Sequence, residues 1–252
     1  MNLTSWVSKS KNLENLENFK NLENLDIYEN FLAVAAHADG VLFYDISNPS
    51  NPEYISTIQT ENAWAVVVDE YYMYIADGSN LLVYYEVGEN SNEYGLMASV
   101  ELSNAIKDIA VENGYLYAAI GSDGVVAINL MVNATPQIID VYNTSGLANR
   151  LDILDGDKVV VSDWDDVEVL ELNNDILELV GFKNTTRRTM AVATSENYIY
   201  SAEWNSVQIF EYGVVEGSDI DFDTYELNYP YVENGESYTM SLNVANNGNQ
   251  AL

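Results

Sequence analysis

The feature that most constrains this chain is a short apolar pattern that returns at a nearly fixed interval. It appears as Leu32-Ala33-Val34-Ala35, Met73-Tyr74-Ile75-Ala76, Leu116-Tyr117-Ala118-Ala119, Val159-Val160-Val161-Ser162 and Ile199-Tyr200-Ser201-Ala202, spaced 41, 43, 43 and 40 residues apart. A period in this range means that each repeat is one supersecondary unit, able to bury its apolar faces only against its neighbours. An apolar segment and a tight acidic or Gly-bearing turn precede each anchor, as residues 65–68 precede Asp69-Glu70 and residues 109–111 precede Glu112-Asn113-Gly114. A polar loop and a third segment follow, at 41–46, 81–87, 125–130, 167–172 and 207–212. The first four units add a fourth segment, at 54–58, 96–102, 137–142 and 176–182.

These segments are rich in Val, Ile and Tyr and alternate at period two, which predicts strands and argues against helix. Four short strands every 42 residues or so make the chain all-β, a β-propeller of four-stranded blades. Five units fit between about residues 13 and 213, and six or seven blades follow if upstream sequence is missing. The fifth unit has no fourth strand after Tyr212, whereas residues 6–22 are left over at the N-terminus. A propeller hides its edges when a strand from one terminus completes the blade built by the other, so this segment is a candidate closing strand. Its Asn-Leu-Glu recurrence at period three over residues 12–26 suits a frayed leader equally well. The expected organisation is therefore a leader or closing strand over 1–21, a propeller over 22–213, a linker over 214–218 and a second β-domain starting at 219–252. That last stretch holds two strand-like segments and a Gly-containing turn, too few to form a sandwich alone, so the chain reads as a piece of a longer protein.

Charge and composition exclude several function classes. Nine Lys+Arg against 40 Asp+Glu give a net charge of −31, which phosphate backbones repel, so nucleic acid is not an expected partner. There is no Cys and one His, which excludes disulfides, thiolate metal sites, cysteine nucleophiles and multi-histidine centres. No apolar run approaches the roughly 20 residues of a membrane span. Apolar residues are 48% of the chain, enough for a sizeable core and against disorder.

Asp39-Gly40-Val41-Leu42-Phe43-Tyr44-Asp45-Ile46-Ser47-Asn48-Pro49, followed by Asn51-Pro52, resembles the LVIVD repeat, in which a glycine, an apolar strand ending in Asp and a Ser-Asn-Pro turn recur. The likeness covers roughly residues 22–213 and is close in the first unit. Later units depart from it: Leu81-Leu82-Val83-Tyr84-Tyr85 lacks the terminal Asp, and the third keeps Asn129 and Thr135-Pro136. The resemblance implies a β-propeller on secreted or surface-anchored bacterial and archaeal proteins, with no catalytic residues to carry over. Residues 219–252 look like the start of the Ig-like modules that follow such propellers, with Asn246-Asn247-Gly248-Asn249 at their Asn-x-Gly turn.

Function in propellers usually sits on the loops joining strands two and three and those leading to the next blade. All five two-to-three loops carry a carboxylate. Asp77, Asp123, Asp163 and Asp165 are candidate Ca²⁺ ligands, since that ion takes six to eight hard oxygens. The competing reading is that Asp, Asn, Ser and Gly are what tight turns require, and no loop has the spacing of a self-contained calcium loop. Five of the six basic residues in the blades lie at blade junctions: Lys107, Arg150, Lys183, Arg187 and Arg188. With the flat faces of Trp164 and Trp204, Lys107, Arg150, Arg187 and Arg188 form a candidate binding patch for a carboxylate-bearing peptide or acidic glycan. The plainer alternative is that these cations relieve local carboxylate repulsion and the tryptophans plug the blades.

The expected function is a non-catalytic binding, adhesion or scaffold module of a larger exported or cell-surface protein, with a protein or glycan partner on the loop face and further domains of the same longer chain beside it. One alternative is an enzyme, a hydrolase, lyase or oxidoreductase using the central channel, and another is a structural spacer. No catalytic residue is assigned: His37 has no motif-fixed partner, and the nucleophile-elbow and phosphate-loop motifs are missing.

Overall fold

The structure, a computed structural model, describes residues 21–86, 94–131, 135–213, 220–222 and 244–246, with backbone alone at 186, 187, 220–222 and 244–246. Two compact units divide the chain, Met1–Ile109 and Ala110–Leu252. All regular structure among the described residues is β-strand.

The first unit holds two antiparallel four-stranded sheets. One runs β1 (Asn24–Tyr28), β2 (Phe31–Ala35), β3 (Val41–Asp45), β4 (Glu53–Ile58), and the other β5 (Ala63–Val68), β6 (Tyr72–Asp77), β7 (Asn80–Glu86), β8 (Tyr94–Glu101), each in spatial order of sequence. The middle strands are buried on both faces, which is why their alternation gives way to continuous apolar runs such as Ala33-Val34-Ala35 and Met73-Tyr74-Ile75-Ala76. Ala33, Ala35, Val41 and Phe43 of one sheet meet Val66, Val68, Met73 and Ile75 of the other in one cluster. Asp-Gly before β3 is explained by close approach: Gly40 has φ 90°, and a Cβ there would lie 2.2 Å from the Ile58 carbonyl oxygen.

The second unit begins within β9 (Asp108–Glu112), which forms a four-stranded sheet with β10 (Tyr115–Ala119), β11 (Val125–Asn129) and β12 (Gln137–Tyr142). Gly124 repeats the Gly40 device, with φ 84° and a Cβ position 2.0 Å from the Tyr142 carbonyl oxygen. The next sheet has six strands: β13 (Arg150–Leu154), β14 (Lys158–Ser162), β15 (Trp164–Asn173), β16 (Ile176–Ser195), β17 (Tyr198–Glu203) and β18 (Ser206–Glu211). Here the layout departs from the expected separate fourth and fifth units. The 20-residue β16 is both the outer strand of one and the inner strand of the next, pairing with β15 through Ile176–Asn184 and Thr189 and with β17 from Thr189 to Ser195. Residues 183–189, Lys-Asn-Thr-Thr-Arg-Arg-Thr, contain no Gly or Pro to break the strand.

Two pairs of successive repeats are tied by the same hydrogen bond. Asp26 Oδ2 accepts from the Val68 amide at 2.8 Å, and Asp152 Oδ2 accepts from the Thr194 amide at 2.6 Å and its hydroxyl at 3.0 Å. Each acceptor stands 42 residues before its donor, one repeat period.

The expected closing strand at the N-terminus lies outside the described residues, apart from residue 21. Of the C-terminal region, β19 (Ile220–Phe222) and β20 (Val244–Asn246) pair antiparallel.

Candidate functional site

The turn between β14 and β15 carries more unusual chemistry than any other described stretch. Asp163 leaves β14, Trp164 takes φ 68°, and the chain re-enters β15 with Asp163 N donating to Asp166 O at 3.1 Å. A bulky residue in the left-handed region is a strained choice, of a kind that clusters at functional sites. Beyond the turn, Asp166, Glu168 and Leu170 stand on one face of β15 by period-two alternation, with Val167 and Val169 on the other. Leu170 packs among Val159, Val161 and Leu177, while Val167 and Val169 pack with Val160 and Ile199. Both faces are therefore interior, and the two carboxylates have no solvent side to turn to. Asp163, Asp166 and Glu168 are 0%, 5% and 3% exposed.

The loop from β12 to β13 folds over these acids. Thr144 Oγ1 donates to Asp163 Oδ1 at 2.8 Å and the Gly146 amide to Asp163 Oδ2 at 2.6 Å. The Ser145 amide donates to Glu168 Oε1 at 3.1 Å. Ser145 Oγ lies 2.9 Å from Asp163 Oδ2 and 3.1 Å from Asp166 Oδ2. A hydroxyl has one proton to give, so the second contact is a hydrogen bond only when Asp166 itself carries a proton and donates. Asp166 Oδ1 and Glu168 Oε2 are buried with no hydrogen-bond partner. Gly146 is required by proximity: a Cβ would stand 2.5 Å from the Asp163 carbonyl oxygen and 2.6 Å from Asp165 Oδ1.

Burial dominates the electrostatics. It pushes the Asp166 carboxyl up to about 8, helped by the neighbouring charges of Glu168 and Asp163. Glu168 is raised to about 7, again by burial first, against the pull of the Ser145 amide. Asp163 is also raised by burial, opposed by its three donors. An all-oxygen donor set with this much desolvated negative charge suits a hard cation or shared protons.

Beside this cluster, the same sheet gathers three of the predicted binding residues. Trp164 pairs with Thr189 across β15 and β16, which sets the Arg188 guanidinium 4.7 Å from the centre of the Trp164 ring. The Arg188 carbonyl accepts from the Trp204 amide at 3.0 Å. Trp204 sits at the tip of the β17–β18 hairpin, 70% exposed. Glu203 anchors that tip by accepting from Ser206 Oγ at 2.7 Å and from Gln208 Nε2.

The remaining predicted residues have their own surroundings. Lys107, in the first unit, places its ammonium 4.2 Å from the Trp64 ring centre, and His37 meets the same ring edge-on at 4.7 Å. His37 Nδ1 contacts Asn62 Oδ1 at 2.8 Å and Nε2 contacts Glu23 Oε1 at 3.0 Å, the Glu23 contact first among the causes that raise its pKa. Arg150 opens β13, where its amide donates to Ser162 Oγ at 3.0 Å. The Arg187 side chain lies outside the described residues. Among the calcium candidates, Asp77 accepts from the Glu61 amide at 3.2 Å and from the Asn62 amide, and Asp123 accepts from Ser122 Oγ at 3.1 Å. Asp163 is brought together with Asp166 and Glu168, while the Asp165 side chain is exposed. Reasoning from sequence missed Asp166 and Glu168. The available signal was an i, i+2 acid pair on a strand face that continues in Leu170 while Val167 and Val169 fill the opposite face.

Comparison with known proteins adds the fold's context. The LVIVD repeat model matches residues 21–60, 61–85 and 186–210. No curated protein sequence matches the chain. Among solved structures, it is similar to a functionally unknown protein from Desulfotomaculum acetoxidans DSM 771, at 12% identity and TM-score 0.61 over 76% of this chain and 66% of that one. It is also similar to the β-propeller domain of Myceliophteria thermophila Cps50 (Swd1), at 16% identity and TM-score 0.61 over 80% of this chain and 76% of that one. The chain thus spans just under two thirds of the first of these proteins. Its LVIVD repeats, its four-stranded antiparallel sheets and these neighbours make it an all-β chain of β-propeller fold.

Proposed function

We propose that this chain is a non-catalytic recognition module of a longer exported or surface-bound protein, and that it takes a carboxylate-bearing partner, an acidic glycan or acidic peptide segment, at the Trp164–Arg188–Trp204 rim. The observation that carries this reading is the pairing of a guanidinium stacked on one indole with a second indole 70% exposed on the adjoining hairpin tip. At 70% exposed, the Trp204 ring lies outside the buried core and leaves most of its apolar surface open to a partner. Arg supplies a planar fork for carboxylate oxygens, and indole faces supply apolar area at low entropic cost. His37 is held by contacts of Nδ1 with Asn62 and Nε2 with Glu23. Export, surface anchoring and an Ig-like continuation after the propeller belong to the same proposal, supported by the LVIVD repeats.

The test is titration with an oligogalacturonate and with a poly-glutamate peptide, followed by tryptophan fluorescence. Wild type is expected to bind one of the two, with Trp204→Ala and Arg188→Ala each weakening affinity by about tenfold or more. Unaltered affinity in both variants overturns the assignment of the rim.

A further inference from the structure

We infer that Asp163, Asp166 and Glu168 form a divalent-cation site, and that the ion it takes is Ca²⁺. This goes beyond the rim and does not depend on it. The three side chains each offer a carboxylate oxygen, and those atoms all lie within 4.8 Å of one another. That distance is twice a Ca–O bond of about 2.4 Å, so one ion can reach all three. An acidic cluster alone says little, because exposed acids gather in any strongly negative protein. Here the residues are 0%, 5% and 3% exposed, and Asp166 Oδ1 and Glu168 Oε2 are buried without a partner. Buried polar atoms are nearly always satisfied, so two orphaned carboxylate oxygens in one cluster point to a cation that completes them.

The surroundings choose the kind of ion. Every donor in reach is a hard oxygen, with Ser145 Oγ 2.9 and 3.1 Å from two of the carboxylates, and no nitrogen or sulfur ligand is among them. That set disfavours zinc and copper. Mg²⁺ demands near-octahedral geometry at short metal–oxygen distances, whereas a buried cluster whose carboxylate oxygens come from the chain at spacings up to 4.8 Å suits the larger, more tolerant ion. The remaining Asp163 interactions, from Thr144 Oγ1 and the Gly146 amide, hold its carboxylate in place without using the orphaned oxygens. Ca²⁺ would therefore pin the β12–β13 loop to the β14–β15 turn.

The experiment uses the whole chain stripped with a chelator, in about 150 mM NaCl so that diffuse binding to the −31 surface is screened. Calorimetric titration with CaCl2 is expected to show one site, and Tb³⁺ is expected to luminesce by energy transfer from Trp164 or Tyr142 and to be displaced by Ca²⁺. The Asp166→Asn, Glu168→Gln double variant keeps side-chain volume and is expected to lose at least about 100-fold in Ca²⁺ affinity and the sensitised Tb³⁺ signal. If the double variant does not fold, the Tb³⁺–Ca²⁺ competition on wild type decides alone. Equal Ca²⁺ binding by folded wild type and variant, or a wild type that gives no displaceable Tb³⁺ signal, overturns the site. Equal affinity for Mg²⁺ overturns the choice of Ca²⁺.

Discussion

Without divalent cations, the carboxylate cluster should make this protein less stable as pH rises through neutrality, and replacing its acids by amides should abolish that trend. Asp166 titrates at about 8 in the folded chain against an ordinary 3.8, and Glu168 at about 7 against 4.5. Both folded-state values are raised, so between roughly pH 4 and 8 the folded protein holds protons that the unfolded chain has released. Stability is then greatest at the acid end of this window and falls as pH rises through it. A shift of about 4 pH units on Asp166 corresponds to a ceiling near 6 kcal/mol, at about 1.4 kcal/mol per unit. Glu168 adds less than its own ceiling of about 3 kcal/mol, because each acid is raised partly by the other's charge. Local relaxation and water entry reduce these ceilings, so a loss of about 2–4 kcal/mol from pH 5.5 to 8.5 is expected, a large part of a typical domain's stability. The assay is urea denaturation in chelator at constant ionic strength, followed by tryptophan fluorescence. His37, also raised, loses stability in the same direction, and comparison with the Asp166→Asn, Glu168→Gln variant removes its contribution. Parallel profiles for wild type and variant between pH 6 and 8 refute the reasoning.

Other perturbations have equally definite outcomes. Gly146→Ala places a methyl 2.5 Å from the Asp163 carbonyl and should cost about 1–3 kcal/mol in denaturant unfolding; Gly156→Ala is a poorer control despite its open surroundings, because its φ of 75° is itself strained for alanine. Asp152→Ala removes the repeat-to-repeat acceptor for the Thr194 amide and hydroxyl and should cost about 2 kcal/mol, seen as a lowered urea midpoint. The melting temperature should rise with NaCl, since a net charge of −31 is relieved by screening; an unchanged or falling value counts against surface repulsion as a significant term.

The strands were legible because their signal is local. Val, Ile and Tyr at period two, punctuated by Asp-Gly and Asn-Gly turns, place β2, β3, β10 and β11 with little reference to the rest of the chain. The continuity of β16 was less so: a repeat count invites a break near residue 183, but Asn184-Thr185-Thr186 has no residue that forces one, and the decision falls to pairing on both sides. The candidate site was legible in part. Asp163 stood out as a loop carboxylate, whereas Asp166 and Glu168 were not singled out, because alternation alone does not tell an acidic strand position that faces solvent from one that faces the interior. Whether a strand has a solvent face is settled by what packs against it, and here Tyr142, Leu177 and Ile199 arrive from distant parts of the sequence. The same holds for Arg188 over Trp164, which depends on the register shift between Trp164 and Asp166 in the β15–β16 pairing.

The most direct test of the recognition proposal follows the indole N–H resonances of the four tryptophans by NMR, assigned by single Trp→Phe variants. On adding whichever of the two acidic probes binds, the account predicts that the Trp164 and Trp204 signals move together while Trp64 stays in place. Movement of Trp64 alone, or binding that leaves Trp164 and Trp204 unmoved, contradicts it.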